Sequence, residues 1–207
     1  MKIVGLITEY NPFHNGHLYH IEESKRLTGA DMAVVVMSGD YVQRGTPAIM
    51  PKRLRAEMAL KCGAAAVFEL PVCYAAGSAE YFALGAVSLL QKLGIVDFLC
   101  FGSECNNLQA LQQAADILLE EPAEYQTVLK HHLREGKSFP SARQEALAEY
   151  TESEGISFLL NDPNNILGIE YLKALKKLNC SITPFTIQRR GAHYHDRQIN
   201  HDYSSAS

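Results

Sequence analysis

Short apolar runs bounded by polar or glycine residues recur along the first half of the chain, and between them apolar residues return every three or four positions. The first pattern predicts buried strands and the second amphipathic helices. Ile3 to Ile7 reads as the first strand. A loop with Pro12 and Gly16 follows, then a helix from His17 to Leu27, which the apolar positions Leu18, Ile21 and Leu27 fit, with Gly29 as its stop. Met32 to Met37, with three consecutive valines, is the second strand, broken by Ser38-Gly39-Asp40. Pro51 opens a helix through Lys61, since proline suits the first helical position, and Gly63 closes it. Ala66 to Leu70 is the third strand, Ser78 caps a helix running to Gly94, and Ile95 to Phe101 is the fourth strand.

Strands alternating with helices at this spacing imply βαβ units, hence an α/β fold, a doubly wound parallel sheet with helices on both faces. After Gly102 the pattern turns helical, over Leu108 to Leu119, Pro122 to Leu133 and Ser141 to Tyr150. Pro163 and Asn164 precede a further helix to Leu178, and Ser181 to Gln188 is a fifth strand. Residues 1–104 and 164–207 are therefore expected to form the α/β domain, with 105–163 as a helical insertion or subdomain.

Composition narrows the class. With 207 residues, 47% hydrophobic and 20% charged, the chain is an ordinary globular protein of one large domain, or one domain plus an appendage. Disorder, collagen and coiled coil are excluded. Its apolar runs fall far short of the roughly 18 residues a membrane span needs, and the N-terminus turns polar at Thr8, too early for a signal peptide. A cytoplasmic protein without membrane association is expected. The five cysteines include no C-x-x-C pair, which fits reduced thiols rather than a metal cluster. The net charge of −4 hides an asymmetry: from Lys173 onward six basic residues face two acids, leaving −8 on the first 172 residues. Phosphate contacts are sought in that basic tail first, although such a surplus also suits a solvated face.

Open parallel sheets bind ligands beyond the carboxyl ends of their strands. Those ends deliver Thr8 through His17, Ser38-Gly39-Asp40 and Gly102-Ser103-Glu104. His14-Asn15-Gly16-His17 sets two imidazoles three positions apart where a helix begins. Free N–H groups and the helix dipole attract phosphate there, and two histidine donors beside them suit a triphosphate under attack at its α-phosphorus. Gly16 would let a nucleoside approach the backbone. Ordinary surface histidines are the bland alternative, and a metal site is weaker still, because no third ligand stands at ligand spacing. Similarly, Gly102 also fits a strand-end turn, and Asn164 and Asn165 fit helix capping. Arg44, Lys52 and Arg55 fit surface pairs with acids such as Glu57. Asp40 is open to a metal or base role, and Glu104 receives none.

Several ordered blocks together resemble the bacterial tRNA(Met) cytidine acetate ligase family, within the H-x-G-H nucleotidyltransferase superfamily. They are Glu9 to His17, Met37 to Gly45, Arg55 to Ala59, Phe68 to Pro71, Phe101 to Glu104, Asn164 to Tyr171 and Arg189 to Asp196. The resemblance implies a Rossmann-like nucleotidyltransferase that uses ATP, with Mg²⁺, to activate acetate as acetyl-adenylate. The acetyl group then passes to N4 of the wobble cytidine of elongator tRNA(Met). It further implies that Ile7, Thr8, Glu9, Tyr10, Asn11, Pro12, Phe13, His14, Asn15, Gly16, His17 and His20 cradle ATP, with His14 and His17 on the phosphates. Gly102 and Asn165 would contact the nucleotide, Arg189 or Arg190 phosphate, and Arg44 and Lys52 the active cleft.

Tyr41, Tyr194 and Tyr203 are candidates to stack the target base. The family's late serine-rich motif corresponds to Ser204-Ser205-Ala206-Ser207, where this chain stops, so the family's C-terminal remainder is expected to lie outside it. Two rivals stay open: a small-molecule nucleotidyltransferase acting on a phosphorylated cofactor precursor, and a non-catalytic nucleotide-binding, RNA-associated module. Nothing in the sequence sets the oligomeric state.

Overall fold

The computed structural model describes residues 1–189. Five strands, β1 (Ile3–Thr8), β2 (Met32–Ser38), β3 (Ala66–Leu70), β4 (Phe98–Ser103) and β5 (Thr183–Gln188), form one all-parallel sheet in the order β3-β2-β1-β4-β5. The chain steps outward from β1 to β2 and β3, then returns to lay β4 on the other side of β1. The strand order thus reverses between β1 and β4, and ligand crevices open at such switch points.

Helices α1 (Asn15–Thr28) and α2 (Lys52–Lys61) follow β1 and β2, and α3 (Val72–Ala75) and α4 (Ala79–Leu93) follow β3. After β4 come α5 (Leu108–Glu120), α6 (Ala123–Arg134), α7 (Phe139–Thr151), α8 (Glu154–Ser157) and α9 (Pro163–Lys177). Every residue of β1 is buried, and the period of two divides them. Val4 and Leu6 join Ile21 of α1 and Ala59 of α2 on one face of the sheet. Ile3 and Ile7 join Leu90 of α4 and Ile169 of α9 on the other. A strand with both faces covered needs a continuous apolar run, which is why the run was visible in the sequence.

The expected α/β class and helix order hold, with shifts at the ends of elements. β4 starts at Phe98, not Ile95. Asp97 ties the strand bottoms together first: its Oδ2 accepts the Ile3 N–H (2.7 Å), its own N–H reaches the Ile3 carbonyl (2.9 Å), and its carbonyl accepts from Thr183 (2.9 Å). β4 then continues through Gly102 and Ser103, because β5 runs beside it in register to Gln188. Helix α1 begins at Asn15, two residues early, and Pro163 and Asn164 lie inside the first turn of α9. The four-residue α3 is too short to show a period.

Leu111, Tyr125 and Leu147 of the inserted helices share one apolar cluster with Ile3 and Leu99 of the sheet, so these helices extend the main core. Among the described residues no helix is long and apolar enough to cross a membrane. The five cysteines are free thiols.

Candidate functional site

A cleft of about 630 Å³ opens over the carboxyl ends of β1, β4 and β5. Ile7, Thr8, Glu9, Tyr10 and Asn11 line it from the exit of β1, and His14, Gly16, His17, Tyr19 and His20 from the start of α1. Gln43, Arg44 and Thr46 approach from the loop after β2. Phe101 and Gly102 close it from β4, Pro163, Asn164, Leu167 and Tyr171 from α9, and Ile187, Gln188 and Arg189 from β5.

The histidines cap α1 themselves. His14 Nδ1 accepts the Gly16 N–H (3.1 Å), and His17 Nδ1 accepts the His14 N–H (3.3 Å), a reciprocal capping box built from imidazoles. A ring nitrogen that accepts such a bond carries no proton, so each neutral ring holds its proton on Nε2. His20 Nε2 lies 3.2 Å from the Cys100 carbonyl, which only accepts, so this ring too is protonated on Nε2. Burial pushes His17 down to about 2, aided by His14, His20 and Arg189, and pushes His20 down to about 4. Burial and then Arg189 lower His14. All three rings are therefore neutral donors near pH 7. The rings of His14 and His17 stack at 3.7 Å between centroids, a contact that two imidazolium charges would oppose.

The structure also gives a packing reason for the glycine between them. A Cβ on Gly16 would lie 2.9 Å from His14 Cε1, so the missing side chain makes room for the capping ring itself. Tyr10, buried at φ 50°, buttresses the pair with ring-edge contacts to His17 and Phe13, both at 4.8 Å. Phe13 thus supports the site from behind. It is absent from the cleft lining, as are Pro12, which follows a cis peptide bond, and the exposed Asn15.

Among the described residues two arginines line the cleft. Arg44 sits on a short 3₁₀ turn at φ 71°, in the left-handed region that is strained for a residue with a Cβ. Arg189 follows β5, and its side chain passes over Gly102, where an added Cβ would meet its Cγ at 3.1 Å. Arg190 lies outside the described residues, as do Tyr194, Tyr203 and the terminal serines. Glu9 is the one carboxylate in the described lining. Burial raises its pKa, against the lowering by the Gln43 N–H that its Oε1 accepts (2.6 Å) and by Arg55 and Arg44. Among the described residues no group of three His, Cys, Asp or Glu is gathered to hold a metal ion.

Other expected positions are engaged elsewhere. Lys52 lies outside the lining and binds Glu69 with both carboxylate oxygens (2.7 and 2.9 Å). Asp40 accepts the Lys52 N–H (3.2 Å) and pairs with its ammonium (3.7 Å), which makes it a cap of α2. Asn165 is buried at the start of α9. Its Oδ1 accepts from the Glu104 and Cys105 amides (3.0 and 3.2 Å), and its Nδ2 reaches Asp162 (3.3 Å). Glu104, given no role from sequence, answers by accepting from Asn164 Nδ2 (2.6 Å) and the Asn165 N–H (2.9 Å). Strand β4 and helix α9 are thereby locked together at the cleft rim. Arg55 is no surface residue: it is fully buried, and Glu57 pairs with Lys61 instead (2.7 Å).

All 207 residues match the profile of a family described as HIGH Nucleotidyl Transferase. The chain belongs to the HIGH nucleotidyltransferase family. It is similar to the tRNA(Met) cytidine acetate ligase of Acetivibrio thermocellus, 54% identical over 208 residues that cover 100% of this chain and 50% of the relative. It is also similar to the crystal structure of Thermotoga maritima TmcAL in its apo form I, with a TM-score of 0.95 and 44% identity over 100% of this chain and 50% of that one. The crystal structure of the same protein bound with alpha-thio ATP superposes with a TM-score of 0.88 and 45% identity, over 92% of this chain and 47% of that one.

This HIGH nucleotidyltransferase chain therefore spans about half the length of the relatives it matches. The family's namesake tetrapeptide stands here as His14-Asn15-Gly16-His17. Among the cleft residues that sequence did not single out, Leu167 and Tyr171 of α9 and Phe82 of α4 come from elements far along the chain, and only the fold brings them to the end of β1.

Proposed function

We propose that this chain binds ATP in the cleft above α1 and activates acetate as acetyl-adenylate, as the ATP-handling part of a tRNA(Met) cytidine acetate ligase. The observation that carries the reading is the His14–His17 box. Both Nδ1 atoms turn inward to cap the helix, which leaves the two Nε2–H donors free of the cap on residues that line the cleft together with Arg44 and Arg189. The relatives' common name and the alpha-thio ATP in the superposable Thermotoga maritima structure support the same choice of substrates.

Acetate is ionised at neutral pH, with a pKa of about 4 like a side-chain carboxyl, so its activation needs no base. One carboxylate oxygen attacks the α-phosphorus, the bond to the pyrophosphate oxygen breaks, and acetyl-adenylate and pyrophosphate result. The obstacle is bringing one anion to another in line. The Nε2–H groups of His14 and His17 and the two guanidinium groups meet the phosphate charge there, while the Gly16, His17 and Leu18 amides stay engaged on His14. Because burial keeps the imidazoles neutral, they act as fixed donors throughout. Gly102, bare of side chain, offers its backbone to the nucleoside. In the second step N4 of the wobble cytidine of elongator tRNA(Met) attacks the acetyl carbon, AMP departs and N4 sheds a proton.

Mg²⁺ belongs to this proposal as a companion of the triphosphate. With Glu9 as the one lining carboxylate and its Oε1 already engaged, the described residues build no oxygen cage, so the ion would ride on phosphate oxygens. Two measurements test the function. ATP–pyrophosphate exchange should depend on acetate; exchange indifferent to acetate would favour the small-molecule nucleotidyltransferase, and no exchange the non-catalytic module. Mass spectrometry of elongator tRNA(Met) incubated with ATP, acetate and the protein should show one acetyl group on cytidine.

A further inference from the structure

Arg55 is a buried cation with no carboxylate at hydrogen-bonding distance among the described residues. Its side chain is fully inaccessible, and all three of its donor nitrogens point at main-chain carbonyls: Nε at Met50 (3.1 Å), Nη1 at Glu9 and Nη2 at Gly39. Glu9 and Gly39 each stand one position past the end of a strand, β1 and β2, whose ladder closes at Thr8 and Met37. The guanidinium therefore takes over where the two parallel strands diverge, and it adds the loop before α2 as a third strut. Taking such a charge from water is expensive unless all its donors are used in good geometry, and a planar fork can serve three acceptors at once where an ammonium cannot.

The loop held in this way carries Arg44. Two further tethers join the same loop to the exit of β1: Glu9 Oε1 accepts the Gln43 N–H (2.6 Å), and Asn11 Oδ1 accepts the Ile49 N–H (2.7 Å). Three clamps thus bracket Arg44 on both sides and hold it at φ 71° beside the cleft, a strained conformation that persists only where its surroundings determine it. We infer that Arg55 is a positioning residue for the ATP site: it fixes the loop of residues 40–50 to the end of β1, so that the Arg44 guanidinium stands ready over the triphosphate before the ligand arrives. The inference rests on the ATP-binding reading above and adds to it a residue that touches no substrate.

The test uses the full protein and its Arg55→Lys, Asn11→Ala and Arg44→Ala variants, singly and with each of the first two combined with the last. Amide hydrogen exchange without ligand examines the clamp directly. Gln43 and Ile49 should exchange faster in Arg55→Lys than in the wild type, while amides of β1 and β2 stay protected. Titration with ATP then examines the consequence. Arg55→Lys should weaken ATP binding by about tenfold, Arg44→Ala by a similar factor, and the double variant by no more than about twofold beyond either, since residues acting through one another are not additive. Adenosine, which lacks the phosphates, should bind Arg55→Lys and the wild type alike.

Unchanged exchange at Gln43 and Ile49, or losses that multiply in the double variant, overturns the inference. A wild type that binds no ATP sinks the functional reading instead, and the exchange result still decides the clamp. If Arg55→Lys does not fold, Asn11→Ala removes one clamp on the same loop and should show the same exchange pattern and the same coupling to Arg44.

Discussion

At the scale of single residues the site turns on which nitrogen of each histidine holds the proton. Capping assigns Nδ1 of His14 and His17 an acceptor role, so on the proposed function losing either ring removes a helix cap and a phosphate donor together. His14→Ala and His17→Ala should each lower acetate-dependent pyrophosphate exchange by about 10²- to 10³-fold, the usual effect of deleting a donor aimed at developing charge. Each should also lose about 1 kcal/mol of stability as a missing cap. The same burial fixes a pH dependence. His17 and His20 are held at about 2 and about 4 in the folded protein, whereas an unfolded histidine titrates near about 6.5. Between those values the unfolded chain binds the extra protons, so stability is fully present above pH 6.5 and falls as pH drops toward 4. Thermal melts across pH 4.5 to 7.5 should show this slope. His20→Gln, which keeps a donor for the Cys100 carbonyl but cannot titrate, should flatten it; an unaltered slope in that variant would exclude His20 as a source.

At the scale of elements, two glycine and asparagine positions separate what builds the cleft from what touches the substrate. Gly16→Ala replaces a poor helix former by the best one, worth about 1 kcal/mol in a helix interior, yet its Cβ would press on the His14 ring at 2.9 Å. The expected outcome is a protein of near wild-type melting temperature with pyrophosphate exchange reduced tenfold or more; retained exchange would show that the ring position is immaterial. Asn165→Ala should do the reverse. It strands the part-buried Glu104 and Cys105 amides that Asn165 Oδ1 accepts from, a loss of about 1 to 2 kcal/mol of stability, with little change in the KM for ATP measured where the variant is folded. A large rise in KM at full stability would restore Asn165 to direct contact with the nucleotide.

These positions also show what the sequence could convey. The strand runs of β1 and β2 were legible because both faces are buried, and the stops at Gly29 and Gly94 because both glycines adopt the left-handed cap. The histidine capping box was not, since such boxes are sought as Ser or Thr with Glu or Gln. Arg55 was read as a surface charge because arginine is almost never fully buried without a partner, and its partners are carbonyls, which leave no mark in a sequence.

For the whole molecule, charge is where the linear count and the folded arrangement part. Six basic residues from Lys173 onward gave the tail its surplus, and phosphate contacts were sought there. Three of the six belong to α9 and are engaged within the fold: Lys173 pairs with the buried Glu170 (2.8 Å), Lys176 with Asp116, and Lys177 with Glu80 (3.7 Å). Glu170 also takes Arg143 (3.3 Å), so on the face joining α9 to α4, α5 and α7 four cations stand against three carboxylates and each is already engaged within the fold. Of the other three, Arg189 lies at the cleft. On the proposed function, binding of elongator tRNA(Met) should therefore be insensitive to the α9 lysines. Lys176→Ala and Lys177→Ala, alone or together, are expected to change its affinity less than twofold and to leave the slope of log affinity against log salt unaltered. A residue in real phosphate contact would lower that slope by about 0.7 to 0.9. Filter binding between 50 and 200 mM salt gives both quantities, and a slope reduced by the lysine variants would return the RNA-facing surface to α9.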